Sequence, residues 1–173
     1  MEILDKYKYI IFDFDGTIVK LNIDWISLKN ELNRVFGIDF TPLNQALEKL
    51  DKESREIAFR IIEKYESHAT YEVNEKLIKY IISNNKNYAI LSDNITSTII
   101  TILNKLNIKN KFKIIIGRDK VKKYKPNIEG MIKILNYFKV NNLKEVIYVG
   151  DSKKDELIAR KLNIDFLNIK WWW

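Results

Sequence analysis

At 173 residues, 46% hydrophobic and 31% charged, the chain is long enough for one well-buried domain with a sizeable insertion. Few glycines and prolines argue against long disordered stretches, and with no cysteine and one histidine, His68, disulfides, zinc–thiolate sites, cysteine nucleophiles and multi-histidine metal centres are excluded. The net charge of +7 is concentrated, because residues 105–125 hold nine Lys/Arg against Asp119 alone.

The start, Met1-Glu2-Ile3-Leu4-Asp5-Lys6, lacks a basic segment followed by an apolar one, and no later apolar run reaches spanning length. A soluble, cytoplasmic protein is expected. Residues 9–14 form the first strand-length apolar run, which ends in Asp13-Phe14-Asp15-Gly16-Thr17. Acids at i and i+2 share one face of a strand, where they repel each other and lose solvation. That is tolerable where the strand ends, a glycine turns the chain and a cation neutralises the charge. The pair reads as chemistry rather than packing.

Roughly fifty residues, 20–70, then exceed an ordinary crossover. Residues 23–36, 42–50 and 53–67 are helical in pattern, with Thr41-Pro42 as a helix start and Phe36-Gly37-Ile38 as a stop. An all-helical insertion placed directly after the acidic strand tip is expected to cap it. His68 reads as a helix-end or packing residue of this cap, and Trp25 either lines a pocket or, as is more frequent for a tryptophan, packs the cap core.

Beyond it, helical patterns at 72–84, 95–106, 128–138 and 153–162 alternate with apolar strand runs at 88–91, 112–116, 145–149 and 166–169. Asn84-Asn85-Lys86-Asn87 offers residues that tolerate a left-handed helix stop. Nearly continuous apolar strands alternating with helices predict an α/β fold, a Rossmann-like three-layer core with a parallel sheet. Residues 1–19 and 71–173 form that core and 20–70 the helical cap. Trp171-Trp172-Trp173 cannot all face one side of an extended strand, and docking on the core, burial in a dimer and disorder all remain open.

Four motifs stand in order, each at the end of a predicted strand or in the loop that follows. They are Asp13-Phe14-Asp15-Gly16-Thr17, Ser92 within Leu91-Ser92-Asp93-Asn94, Lys125 within Lys125-Pro126-Asn127, and Gly150-Asp151-Ser152-Lys153-Lys154-Asp155. Together they resemble the haloacid dehalogenase superfamily of phosphatases, and specifically its phosphoglycolate-phosphatase-like members with a helical cap after the first motif. The resemblance covers nearly the whole chain.

The resemblance implies that Asp13 attacks phosphorus to give an aspartyl-phosphate, which splits hydrolysis into two easier steps. Because carboxylate and phosphate are both anionic, a cation must stand between them. Asp13 and Asp151 supply oxygens to Mg²⁺, with Asp155 as ligand or behind it and the Asp15 carbonyl as a further ligand; hard oxygen donors suit that ion. Asp15 protonates the leaving alcohol and then activates water, and Thr17 orients Asp15 by hydrogen bonding. Ser92 offers its hydroxyl to a phosphate oxygen, with Asp93, Asn94 and nearby backbone amides also on the phosphate. Lys125 binds both the phosphate and the Asp13 carboxylate.

Dehalogenases of the superfamily lack the second acid, and its ion-pumping ATPases carry threonine there. Asp15 therefore favours phosphate transfer or hydrolysis. In the superfamily's strand order the chain reverses between the first and fourth strands, so the acids converge at their carboxyl ends. Lys120, Lys122, Lys123 and Lys125 then fall on the active-site side of the third strand, and Lys105, Lys109, Lys111 and Lys113 on the opposite edge. The expected function is a Mg²⁺-dependent phosphatase of a small phosphorylated metabolite. A phosphomutase shares all these residues, and a nucleic-acid-binding protein using residues 105–125 is the rival from another class.

Overall fold

The structure is a computed structural model that describes residues 2–169; the Trp171-Trp172-Trp173 tail lies outside the described residues. In chain order the strands are β1 (Tyr9–Phe12), β2 (Val19–Asn22), β3 (Thr70–Val73), β4 (Asn87–Leu91), β5 (Phe112–Ile116), β6 (Val146–Gly150) and β7 (Asp165–Asn168). The α-helices are α1 (Trp25–Phe36), α2 (Leu43–Lys49), α3 (Lys52–His68), α4 (Glu75–Ser83), α5 (Thr96–Lys105), α6 (Glu129–Tyr137) and α7 (Lys153–Leu162).

All four residues of β1 are buried, as a strand covered on both faces requires, and β1 is the middle strand of a five-stranded parallel sheet ordered β5-β4-β1-β6-β7. Ile10 and Phe12 of β1, with Tyr88, Ile90, Ile147 and Val149 from its neighbours, face α4, α5 and the helical insertion. Tyr9, Ile11, Ala89 and Tyr148 face α6 and α7. The result is the expected three-layer α/β core. From β1 the chain steps outward through β4 to β5, then returns to place β6 on the other side of β1. The register pairs Phe12 with Ile90 on one side and Val149 on the other, so the loops after β1, β4 and β6 leave the sheet side by side. The crevice at that reversal is where open parallel sheets take ligands.

The insertion does not leave and rejoin the core as bare loops. Val19–Asn22 and Thr70–Val73 pair antiparallel, Val19 opposite Val73 and Asn22 opposite Thr70, in a ribbon at its base. Residues 72 and 73 are therefore strand, not the start of a helix as the periodicity suggested. Alternation decides it: Val19 and Leu21 are buried while Lys20 and Asn22 face out, and Thr70, Tyr71 and Val73 are β-formers. Helix α4 begins only at Glu75, where the Asn74 side chain accepts from the Leu77 amide at 3.2 Å. Its end also differs from expectation, because Asn84 is extended (φ −118°) rather than left-handed and returns its side-chain amide to Tyr80 O at 2.9 Å. Gly37 does end α1 in the left-handed region, at φ 66°.

Leu28, Leu32, Phe40, Leu47, Ala58 and Ile62 of the insertion are wholly buried, in one continuous cluster with Phe14, Ile18 and Ile95 of the core. No helix among the described residues is long and apolar enough to cross a membrane. Because the insertion shares the sheet's apolar cluster, truncating Leu32 to alanine is expected to cost about 2–5 kcal/mol of global stability. Urea unfolding followed by circular dichroism should show one cooperative transition at lower denaturant; a separate early transition would mean that the insertion melts alone.

Candidate active site

The tip of β1 places Asp13 under the crevice, nearly buried at 7% exposure. Its Oδ1 accepts from the Phe14 amide at 2.7 Å and from Lys125 Nζ at 2.8 Å. The same ammonium reaches Asp155 Oδ1 at 2.7 Å, so Lys125 lies between two buried carboxylates. Asp155 is held from every side. Tyr148 donates its hydroxyl to Oδ1 at 2.7 Å, and Ser152 gives Oδ2 its backbone amide and hydroxyl in a capping box that starts α7.

These contacts set the charges. Burial pushes the Asp13 carboxyl up to about 8 even with Lys125 beside it, and burial followed by the neighbouring Asp155 raises Asp151. Burial would raise Asp155 as well, but Lys125 together with the hydrogen bonds from Ser152 and Tyr148 outweighs it and holds that carboxyl below its usual value. Burial pulls Lys125 down, yet Asp13 and Asp155 more than compensate and keep it firmly cationic. Asp13, Asp151 and Asp155 each bring one oxygen within 4.8 Å of the others, and one lysine does not hold all three as carboxylates. The donors are all hard oxygens, and both oxygens of Asp155 are already occupied, which leaves Asp13 and Asp151 as the pair suited to a divalent cation.

Gly16 turns the chain after the acids at φ 83°, and a Cβ built there would fall 2.3 Å from Asp151 Oδ2. The loops after β1 and β6 thus touch through a residue without a side chain. Asp15 points along the other side of this turn, where Oδ1 accepts from the Leu21 amide of β2 at 2.8 Å, and burial raises its carboxyl to about 6. The expected hydrogen bond from Thr17 is not formed. Its hydroxyl is buried without a partner, and the orienting donor is the Leu21 amide, a backbone group that no side-chain pattern reveals.

Ser92 directly follows β4 at the same edge, and its hydroxyl donates to Asn94 Oδ1 at 2.9 Å. The side chains of its two neighbours have other duties than phosphate contact. Asp93 accepts from Asn44 Nδ2 at 2.9 Å and from Lys154 Nζ at 3.1 Å, while Asn94 is committed to Ser92 and to Glu66. Burial would raise the Asp93 pKa, but Arg118, Lys125 and Lys154 lower it, so it stands as a carboxylate.

A cavity of about 690 Å³ opens above these groups, with Asp13, Asp15, Ser92 and Lys125 in its wall and Trp25 and Asn44 contributed by the insertion. Trp25, for which the sequence left cap packing and pocket lining open, is 40% exposed and lines it. Arg118 also lines it, 4% exposed, donating Nη1 to Asn44 Oδ1 at 2.7 Å and lying 5.7 Å from the Tyr124 ring. The sequence showed it only as one charge in a run, although its place just after β5 put it at the active edge. The rest of that run divides as expected. Lys111 reaches the Ile82 and Asn84 carbonyls beyond the opposite end of the sheet, whereas Lys123 pairs with Glu48 of α2. The run is thereby split between the two ends of the sheet.

A family model described as haloacid dehalogenase-like hydrolase matches residues 10–169. The chain belongs to that family. It is 25% identical over 183 residues to a protein of Caldanaerobacter subterraneus subsp. tengcongensis that carries the provisional name pyrophosphatase PpaX, covering 96% of this chain and 83% of the relative. Among solved structures, a provisionally named haloacid dehalogenase-like hydrolase from Bacteroides fragilis superposes with a TM-score of 0.71 at 20% identity, over 94% of this chain and 87% of the other. A predicted phosphoglycolate phosphatase from Haemophilus somnus gives 0.67 at 16% identity, over 94% and 85%. At such identities the two structures bear on the fold alone.

Lys125→Met would leave Asp13 and Asp155 buried without their cation, at a cost of about 3–5 kcal/mol. Unpaired buried acids bind protons more tightly when folded, so the variant's stability relative to wild type should recover on acidification and worsen as pH rises. Thermal melts from pH 5 to 8 test this, and a deficit independent of pH would contradict it.

Proposed function

We propose that the protein is a Mg²⁺-dependent phosphatase that hydrolyses a small phosphorylated metabolite through an aspartyl-phosphate on Asp13. The observation that carries this is one nucleophilic carboxylate at a parallel strand tip, paired with a buried lysine at 2.8 Å and followed two residues later by a second acid fixed by a backbone amide. Membership in the haloacid dehalogenase-like hydrolases and the phosphatase and pyrophosphatase names of relatives support the same reading.

An oxygen of Asp13 attacks phosphorus as the bond from phosphorus to the ester oxygen breaks. The departing oxygen takes the proton of Asp15. A carboxyl raised to about 6 by burial holds a proton closer to neutrality than an exposed aspartate does, which suits it to that exchange. Asp15 then takes a proton from water, the water oxygen attacks phosphorus, and phosphate leaves Asp13 free. Ser92 and Lys125 hold the phosphoryl oxygens, and Asp155 holds Lys125. Asp13, Asp151 and the Asp15 carbonyl would hold Mg²⁺, with Asp155 behind them. When bound, the ion offsets the repulsion between carboxylate and phosphate.

Residues 20–70 act as the cap over a core of 1–19 and 71–173, and Trp25 and Asn44 form part of the roof that excludes water. A panel of phosphate monoesters and pyrophosphate, with and without Mg²⁺, tests the reading. Turnover should require the metal, and Asp13→Asn should lower kcat by at least about 10³-fold. Asp15→Asn should slow turnover by about 10²–10⁴-fold and accumulate a phosphorylated protein visible by mass spectrometry. Activity untouched by Asp13→Asn would sink the proposal.

A further inference from the structure

Arg118 is 4% exposed, and an arginine so deeply buried is seldom found without a carboxylate. It forms no ion pair among the described residues. The two acids in range of its charge are engaged elsewhere: Asp93 accepts from Asn44 and Lys154, and Glu66 from Asn94 and the Ile95 amide. Of the five N–H groups of the guanidinium, two are used, Nε donating to Asp93 O at 2.5 Å and Nη1 to Asn44 Oδ1 at 2.7 Å. Nη2 donates to nothing among the described residues. It is not one of the atoms sealed from solvent without a partner, so it opens on the cavity that Arg118 lines. The Tyr124 ring supports the charge from one face, 5.7 Å away, and leaves the in-plane N–H groups unused.

We propose that Arg118 receives a second anionic group, carried by the leaving group of the phosphate ester, and so selects substrates with a carboxylate or a second phosphate beyond the ester oxygen. Position separates this from a contact to the transferred phosphoryl group. Arg118 follows β5, and β4 stands between β5 and β1, so at about 4.8 Å per strand its backbone lies about 10 Å to the side of Asp13. Its anchors are Asp93 and Asn44, whereas Asp13 already has Lys125. A ligand that touches both must reach across the crevice, and the cavity of about 690 Å³ has room for one that does.

Tying the insertion to the loop after β4 does not explain the arrangement. That tie uses Nε and Nη1 and asks only for donors, while a permanent charge with unused N–H groups is costly to bury unless an anion completes it. A guanidinium suits carboxylate and phosphate alike, because each offers it two oxygens at matching spacing. The inference rests on the phosphatase reading for what lies at the other end of the ligand; the subsite itself rests on the burial of Arg118 and its unused donors.

Matched pairs of esters give the test. 3-Phosphoglycerate and glycerol 3-phosphate differ at one terminus, carboxylate against hydroxymethyl. Propanediol bisphosphate, phosphorylated at both ends, differs from its monophosphate by one anion. Affinities are measured by calorimetry on the full-length Asp13→Asn protein with Mg²⁺, so that turnover does not consume the ester, and kcat/KM on the protein with Asp13 intact. Each measurement is repeated with Arg118→Met.

In at least one pair the ester with the second anion should bind at least about tenfold more tightly than its partner and show a kcat/KM higher by a similar factor. Arg118→Met should abolish that ratio, a loss on the scale of one charge-assisted hydrogen bond. No preference within either pair, or a preference that survives Arg118→Met, would overturn the proposal. Equal losses on both members of a pair would show that Arg118 holds the phosphoryl group or only ties the insertion, and would overturn it as well. Should Arg118→Met fail to fold, Arg118→Lys, which keeps the charge without the fork, must lower the ratio at least about threefold; an unchanged ratio refutes the subsite. An Arg118-dependent preference in binding with no hydrolysis of any ester would refute the phosphatase reading and leave the subsite standing. A protein that binds none of the four esters would refute the subsite.

Discussion

The ammonium of Lys125 holds the site together. It contacts Asp13 at the end of β1 and Asp155 in the first turn of α7, and it is carried by the loop between β5 and α6. Three separate segments are therefore tied at one buried cation, in a setting where any one of the three charges alone would be strongly unfavourable. The sheet order makes the tie short: β1 and β6 are neighbours, so a residue on α7 lies close to the tip of β1 although about 140 positions separate them in the chain. One lysine does not hold all three acids of the cluster as carboxylates: Asp13 and Asp151 are raised, and a further cation beside them would favour their charged forms.

A second constraint comes from the insertion, which contributes polar contacts at several depths. Asn44 bridges Asp93 and Arg118, Glu48 takes the Tyr124 amide and pairs with Lys123, and Glu66 reaches the loop after β4. Each contact lands on a loop that leaves the carboxyl end of the sheet. The helices thus cover the crevice and also fix the conformation of the loops that form its walls.

Much of this was legible in the chain. The apolar runs at β1, β4, β5 and β6, the acids after β1 and β6, and Lys125 were all readable, because period, strand termini and residue type are local properties. The ribbon of β2 and β3 was not. Its strands are four residues each, half exposed and about fifty positions apart, so only the pairing makes them strands. The Thr17 expectation failed for a related reason, since the donor to Asp15 is a main-chain amide brought in by that ribbon. Arg118 and Glu66 were visible as charges but not as buried ones. Burial of a charged side chain depends on what packs over it, and here that is the insertion over Arg118 and the loop after β4 over Glu66.

The bond from the Leu21 amide to Asp15 has a consequence for anyone who would exchange the helices above the crevice for others. Leu21 lies in the ribbon through which the chain enters and leaves the insertion, so the acid takes its orientation from the graft junction itself. In a strand, successive residues point to opposite faces, and a slip of one position would offer Asp15 a differently directed amide. A chimera joined outside the ribbon risks losing the orientation of Asp15 along with the helices above the crevice. One that keeps residues 19–22 and 70–73 in register changes only the helices that face the crevice.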